Sequence, residues 1–482
     1  MKNNDTIAAV ATALGTAAVS VVRLSGTQSI DIAAAVFTAG DKTRVKDFAP
    51  YRLYPGLLTG ARVSDRCMCV VFRAPRSYTG EDCAEFHCHG GVKLTECVLS
   101  ELLSRGARLA EAGEFTKRAF LNGKLDLSGA EGVIDLINAQ SEAEINAGFS
   151  LLSGALRNTV AGLQNKLTAA LAEIDAAADY PEEYDGKELS KRVNAGAYGV
   201  LKELKDLERT YSNGALIRNG INCAIIGMPN TGKSSLMNAL LGYGRAIVTA
   251  EAGTTRDTVA ESFSHGGARV NLIDTAGIRR AKTDVENLGI ERGKAAARGA
   301  DIVVYVQDSD GETAPPEFAD ILKGKKYIFA VNKIDDKAQC KMQNAKLKYG
   351  NAACHGDTVP DPACRETCPH DPAADRNSQL NKIYISAKHG HFIEELKKLI
   401  ISLCIDKDFA AGGAALNNVR HLDAVRKAAD SLTEALAAGN PAPLEMRYVD
   451  IKAAWDALGV ITGATAGEDI IDALFSSFCV GK

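Results

Sequence analysis

Gly227-Met228-Pro229-Asn230-Thr231-Gly232-Lys233-Ser234-Ser235 is the stretch on which the reading of this chain turns. It follows an apolar run, Asn222–Ile226, and opens a segment of helical character, the context that gives a glycine-rich phosphate loop its meaning. The glycines let backbone N–H groups wrap phosphates, and the start of a helix adds a favourable field. Lys233 is placed to reach the β- and γ-phosphates and Ser234 to ligate Mg²⁺, with Asn230, Thr231, Gly232 and Ser235 lining the same cradle. A plain Gly-rich turn would explain this loop alone, but not the four further motifs that lie downstream of it.

Asp274-Thr275-Ala276-Gly277 ends the run Val270–Ile273; its Asp can hold Mg²⁺ through water and the Gly277 N–H can sense the γ-phosphate. Between it and the phosphate loop lies Gly253-Thr254-Thr255-Arg256-Asp257, where Thr255 is placed to complete the Mg²⁺ shell as a mobile switch. Asn332-Lys333-Ile334-Asp335 chooses the base: Asp335 offers two acceptors to the two adjacent donors on the guanine edge. Adenine presents a donor beside an acceptor there, which leaves buried groups unpaired. Ser386-Ala387-Lys388 completes the guanine pocket. Together with the phosphate loop, these elements predict a GTPase. The runs Asn222–Ile226, Val270–Ile273, Ile302–Val306, Tyr327–Val331 and Ile383–Ile385 alternate with helical segments and predict a parallel, doubly wound sheet. Many signalling GTPases place a Gln after the Gly277 position to orient water; Ile278 stands here, so hydrolysis needs another polar group and another source of charge.

Working outward, residues 1–124 mix short β-like runs (Val19–Leu24, Val70–Phe72, Ala84–His87) with turn signals, an α+β domain. Residues 125–216 turn to Ala/Leu/Glu-rich helix, with Leu152, Leu156, Val160, Leu163, Leu167, Leu171 and Ile174 reading as one stripe on one long helix, stopped at Asp179-Tyr180-Pro181. The nucleotide domain spans 217–408, and helix resumes over 409–482. A helical domain interrupted by a P-loop, Ras-like GTPase domain is the expected multidomain α/β plus α layout. At 482 residues, 46% hydrophobic, 24% charged and with net charge −4, the chain has no global attraction for nucleic acid. No apolar run is long enough to span a bilayer. Ile7–Val22 reads better as two strands than as a signal peptide, because Asp5 stands where positive charge is wanted and polar residues dilute the run. Twelve scattered cysteines in a chain binding an intracellular nucleotide predict reduced thiols and a cytoplasmic location.

Beyond the GTPase motifs, Asp5-Thr6-Ile7, Arg23-Leu24-Ser25-Gly26, Ser77–Asp82, His89-Gly90-Gly91, the string Gly113–Leu127 and the tail Phe478-Cys479-Val480-Gly481-Lys482 resemble the MnmE (TrmE) family of tRNA-modification GTPases over essentially the whole chain. The resemblance implies a homodimer whose N-terminal domain binds a tetrahydrofolate derivative (5-formyl- or methylene-tetrahydrofolate) through Arg23, Glu81, Lys124 and Lys482. It implies an MnmG-like FAD protein as partner, in a heterotetramer that installs an aminomethyl-type group on C5 of the wobble uridine of tRNA. It also implies a K⁺-dependent GTPase, with Asn230, Thr249, Glu251 and Thr254 as K⁺ ligands and Glu286 orienting water in place of the missing Gln. Arg279 is a weaker candidate for anchoring the switch, and Cys479 is either a reactive thiol near the folate or an inert one. Taken without the family, Glu286 is a solvated helix residue and the folate set a group of surface salt bridges.

One departure stands out. The family connects the equivalents of Asp335 and Ser386 briefly, whereas here an insert of about 338–380 carries Cys340, Cys354, His355, Cys364, Cys368 and His370. These ligand types permit Zn²⁺, but the irregular Pro/Asp-rich spacing fits a surface loop better. The rival function is a ribosome-assembly GTPase docking on rRNA, disfavoured by a single phosphate loop and no basic tail.

Overall fold

The computed structural model describes residues 5–242, 261–273, 293–308, 318, 321–322, 324–349, 381–406, 413–437 and 444–482. The chain forms two compact units: Met1–Ile137, Gly148–Glu208 and Val419–Lys482 make one, and Asn138–Ala147 with Arg209–Asn418 the other.

The first unit has the strands β1 (Ile7–Val10), β2 (Val19–Ser25), β3 (Phe37–Ala39), β4 (Tyr54–Thr59), β5 (Ser64–Phe72), β6 (Cys83–His89) and β7 (Arg108–Leu109), with period-two alternation clearest in β5. They form one sheet in the order β3-β4-β5-β6-β2-β1-β7, antiparallel except where β7 joins β1. Along β5, Asp65, Cys67, Cys69 and Val71 are buried while Ser64, Arg66 and Met68 are exposed. Helices α1 (Ser29–Val36) and α2 (Val92–Ser104) close the core, with Val22, Leu24, Phe86, Val98 and Leu102 at its centre. The Ile7–Val22 stretch is two paired strands, with Ile7 opposite Ser25 and Val10 opposite Val22.

After α3 (Glu114–Leu121), the helices α4 (Leu127–Asn138), α5 (Glu142–Leu152), α6 (Ala155–Asp179) and α7 (Gly186–Arg209) follow. Here one expectation is corrected. The apolar stripe from Leu152 to Ile174 lies on two helices, because Gly154 takes a left-handed φ of 85° between α5 and α6. Its spacing is compatible with a continuous helix, so periodicity alone misses the break. Leu156, Val160, Leu163, Leu167, Leu171 and Ile174 still share one buried face of α6, which stops at Asp179.

The second unit holds α8 (Tyr211–Asn219), α9 (Lys233–Leu241), α10 (Lys337–Tyr349) and α11 (Ile393–Cys404). Its strands are β8 (Ile221–Ile226), β9 (Glu261–His265), β10 (Ala268–Ile273), β11 (Ile302–Gln307), β12 (Lys326–Val331) and β13 (Lys382–Tyr384). The order β13-β12-β11-β8-β10-β9 is parallel throughout except for β9, which runs antiparallel at the edge. Sequence reading missed β9 because Glu-Ser-Phe-Ser-His buries only Phe263; the Gly266-Gly267 turn was the available signal. The parallel strands are nearly continuous apolar runs with a buried cluster on either side, as a sheet covered on both faces requires.

The chain returns to the first unit with α12 (Val419–Ala437), α13 (Leu444–Thr462) and α14 (Glu468–Ser476). Helix α13 packs against both α12 and α6, and the Trp455 Nε1–H donates to Thr168 Oγ1 at 3.0 Å. Between α4 and α12 lies a buried polar group: Glu131 accepts from Arg420 at 2.9 and 2.8 Å and meets His421 Nε2 at 2.6 Å.

Candidate functional site

The phosphate loop leaves β8 at Ile226 and enters α9 at Lys233. Two glycines are required by geometry. A Cβ on Gly227 (φ 151°) would stand 2.2 Å from the Val306 carbonyl oxygen, and one on Gly232 (φ 94°) would stand 2.3 Å from Asn332 Nδ2. Asn230 adopts a left-handed φ of 63° and is exposed. Thr231 is buried, its hydroxyl donating to the Met228 carbonyl at 2.9 Å, while Ser234 and Ser235 open the helix. The Lys233 ammonium folds back on the same carbonyl at 2.8 Å, and burial pushes its pKa below the ordinary lysine value.

Asn332 binds three separated motifs into one site. Its Nδ2 donates to the Thr231 carbonyl at 2.9 Å, its Oδ1 accepts from the Ala387 N–H at 3.0 Å, and its own N–H donates to the Gln307 carbonyl at 2.8 Å. The side chain is only 4% exposed, so these bonds form away from competing water. Asp335 is aimed by Ser386, whose buried hydroxyl donates to Oδ1 at 2.8 Å, while Oδ2 lies 3.8 Å from His389 Nε2. Lys333 (φ 68°) and Lys388 are exposed, and the Lys333 ammonium pairs with Asp308 at 3.2 Å. Thus Asn230 to Ser235, Asn332 to Asp335 and Ser386 to Lys388 converge on the same end of the sheet, where the loops after parallel strands gather. Thr249, Glu251, Thr254, Thr255, Arg256, Asp257, Asp274, Thr275, Ala276, Gly277, Ile278, Arg279 and Glu286 lie outside the described residues, as do Cys354, His355, Cys364, Cys368 and His370 of the insert. Cys340 is described: it is buried and donates to the Tyr384 carbonyl at 2.9 Å, and burial pushes its pKa up to about 11.

A second cluster lies in the first unit. On β2, Arg23 donates to Glu85 at 2.7 Å and its guanidinium sits 5.3 Å from the Tyr78 ring centre and 5.6 Å from that of Phe115. Two residues along the same face, the Ser25 hydroxyl donates to Glu81 at 2.7 Å, and Glu81 also accepts from the buried Arg118 at 3.2 Å. Lys124 donates to the Pro75 carbonyl at 3.1 Å and is adjacent to Gly80.

The tail is seated beside this cluster. Phe475 and Phe478 are buried with Leu127, Ala130 and Val133, which carries the chain to the start of α3. There Val480 bridges Ala112, the Gly113 N–H donates to the Cys479 carbonyl at 3.3 Å, and the Phe115 N–H donates to the Lys482 carbonyl at 3.2 Å. Burial, and then the charge of Arg23, push the Lys482 pKa down, with Glu85 opposing. Cys479 is exposed. Sequence reading did not find Ser25, Tyr78, Glu85, Arg118 or His389. Ser25, Tyr78 and Arg118 lie within quoted strings and His389 follows one, so the strings were read but these side chains were given no role; that of Arg118 depends on tertiary pairing with Asp5, Glu81 and Glu114.

A mostly parallel sheet with a phosphate loop, whose Thr231 is joined through Asn332 to the loops carrying Asp335 and Ser386, is the arrangement of a P-loop GTPase. The remainder of the chain narrows the class. Residues 6–124 match the model of the GTP-binding protein TrmE N-terminus and residues 127–479 that of the MnmE helical domain. The tRNA modification GTPase MnmE of Alkaliphilus metalliredigens (strain QYMF) is 36% identical over 486 residues, covering 99% of each chain. That of Clostridioides difficile (strain 630) is 36% identical over 484 residues, again covering 99% of each. Among solved structures, the G domain of the T. maritima FeoB iron transporter aligns at 22% identity with a TM-score of 0.23, covering 38% of this chain and 98% of that one. The chain belongs to the MnmE (TrmE) family of tRNA modification GTPases.

Proposed function

We propose that this chain is a K⁺-dependent GTP hydrolase which, with an MnmG-like FAD protein, installs a (carboxymethyl)aminomethyl group at C5 of the tRNA wobble uridine. It would act in the cytoplasm as a homodimer within a heterotetramer and draw its carbon from a folate one-carbon unit. The observation supporting this reading best is the seat of the tail, which puts Lys482 beside Arg23 and Glu85 on the sheet of the N-terminal domain.

The donor set there fits a folate. Glu81 is a carboxylate for the pterin edge, Tyr78 an aromatic face, and Arg23, Lys124 and Lys482 are cations for the glutamate portion. When bound, that group supplies the one-carbon unit. The chain's own residues orient it, and Arg118 and Ser25 fix the Glu81 carboxylate for that purpose.

In the nucleotide site, Lys233 exchanges the Met228 carbonyl for the β- and γ-phosphates, whose negative charge opposes the burial that lowers its pKa. Ser234 and Thr255 would hold Mg²⁺; Asn230, Thr249, Glu251 and Thr254 would hold K⁺. When bound, these ions offset the charge that builds on the phosphoryl oxygens. Glu286 orients the attacking water. Mass spectrometry of wobble nucleosides from cells lacking this protein tests the proposal: loss of the C5-modified uridines is expected, and an unchanged nucleoside profile overturns it.

A further inference from the structure

Neither the nucleotide site nor the tail cluster uses Asp65, Cys67 and Cys88, on the adjacent strands β5 and β6. One ligand atom from each lies within 4.8 Å of the other two, and all three residues are buried. Topology sets this cluster. Met68 pairs with His87 in the antiparallel ladder, so Cys67 stands directly across from Cys88, while Asp65 shares the inward face of β5 with Cys67. The carboxylate is held from behind, for the His89 N–H donates to Asp65 Oδ2 at 3.0 Å and His89 Nδ1 lies 2.6 Å from Oδ1. A carboxylate fixed by an imidazole is the outer-shell arrangement that orients metal ligands.

We propose that Asp65, Cys67 and Cys88 bind a thiophilic divalent cation, Zn²⁺ by the chemistry of its donors, with a fourth position left to water. Tetrahedral Zn²⁺ with sulfurs at ~2.3 Å and a carboxylate oxygen at ~2.1 Å needs ligand atoms roughly 3.5–3.8 Å apart. From at most 4.8 Å the trio closes by no more than about 1.3 Å, within side-chain adjustment. The paired thiolates exclude Mg²⁺ and K⁺ as the natural occupants, since both favour oxygen. Binding releases the thiol protons to solvent and joins β5 to β6 at the His89-Gly90-Gly91 turn.

The test is a Co²⁺ titration of the full-length chain, reduced with a non-chelating phosphine in buffer containing Mg²⁺ and K⁺, read by thiolate-to-cobalt charge-transfer absorption. Saturation near one Co²⁺ per chain and displacement by Zn²⁺ are expected. Cys67→Ser and Cys88→Ser should each remove about half of the band, and Asp65→Asn should weaken binding about tenfold or more. Cys364→Ser in the insert and Cys69→Ser beside the cluster should leave the stoichiometry unchanged. Retained amide protection along β5 and β6 in the metal-free variants checks that this sheet folds, and Cys67→Ala and Cys88→Ala replace any serine variant in which it does not. Absence of a thiolate band in the reduced wild-type chain overturns the proposal, as does a full band in the Cys67→Ser/Cys88→Ser double variant.

Discussion

Replacing Gly481 by Ala tests whether the seated tail is part of the folate site. Gly481 has φ 99°, and a Cβ there would stand 2.1 Å from the Val10 carbonyl oxygen, 3.0 Å from its carbon and 3.4 Å from Ala11 Cα. All three obstacles are backbone, so no side-chain rotation relieves them. The backbone conformation alone costs about 1–3 kcal/mol for a residue with a Cβ, before the clash is counted. Against this, the seat is held by the Gly113 and Phe115 N–H bonds to the tail carbonyls and by the bridge at Val480, roughly 1 kcal/mol net for each bond. Strain and attraction are of similar size, so the clash tips the balance and Cys479 to Lys482 leave their place. Phe475 and Phe478 remain buried in a separate contact and keep α14 docked. Two measurements read the outcome. Amide exchange at Gly113 and Phe115 should accelerate by roughly tenfold or more, reporting the lost seat. Calorimetric titration with 5-formyltetrahydrofolate should show affinity reduced by a similar factor, matched by deletion of Cys479 to Lys482, with basal GTP hydrolysis intact. Faster exchange with unchanged folate affinity would place the tail outside the folate site. Unchanged exchange would refute the steric argument itself.

Three further outcomes are expected. GTP hydrolysis should run well above its Na⁺ rate in K⁺, and Asn230→Ala should erase the difference; equal rates for the intact protein in both salts would exclude a K⁺ site. Glu286→Ala should slow turnover by about 10²-fold or more while leaving GTP affinity nearly unchanged, as loss of a water-orienting acid does; an unaltered rate would return Glu286 to the solvated face of a helix. Burial raises the pKa of the Glu131 carboxyl, but His421 and Arg420 outweigh it and bring the pKa from its ordinary 4.5 to about 2. That depression contributes about 3 kcal/mol, fully present above pH 4.5 and lost as pH falls through about 2. Urea midpoints followed by fluorescence of Trp455, the single tryptophan, should therefore fall across that window, and Glu131→Gln should flatten the acid limb while lowering the midpoint at pH 7. A wild-type acid limb no steeper than that of the variant would contradict the assignment.

How much of this was legible in the sequence depends on the range over which each feature is specified. The phosphate loop reads clearly because its pattern is compact in the sequence, with Gly227 and Gly232 at positive φ, even though the groups that exclude a Cβ there, the Val306 carbonyl and the Asn332 side chain, come from distant strands. The parallel strands also read clearly, since a strand buried on both faces must be apolar along its length, as Ile302–Gln307 nearly is. Edge strand β9 escapes the same test because it needs to bury only one side chain, and the ladder to β10 provides the rest of its pairing. The α5–α6 break escapes for the opposite reason. The apolar stripe is right on both sides of it, and only the left-handed φ of Gly154 records the interruption.

The tail cluster shows where residue-by-residue reading stops. Arg23 and Lys482 are separated by nearly the whole chain, and no periodicity joins them. What joins them physically is a sequence of close fits. Phe475 and Phe478 fill the cluster with Leu127, and Gly113 leaves room where a Cβ would meet the Phe475 carbonyl oxygen at 2.6 Å and Phe478 Cβ at 2.9 Å. Gly481 then passes under the Val10 carbonyl. Each of these glycines has a positive φ and a neighbour that excludes a side chain, so the close approach and the conformation are satisfied by the same residue choice. The family-specific strings Gly113–Leu127 and Phe478–Lys482 are thus two halves of one interface. Their sequence specificity follows from fitting each other as well as from any ligand, which is why folate affinity and amide protection must be measured on the same variant to separate the two roles.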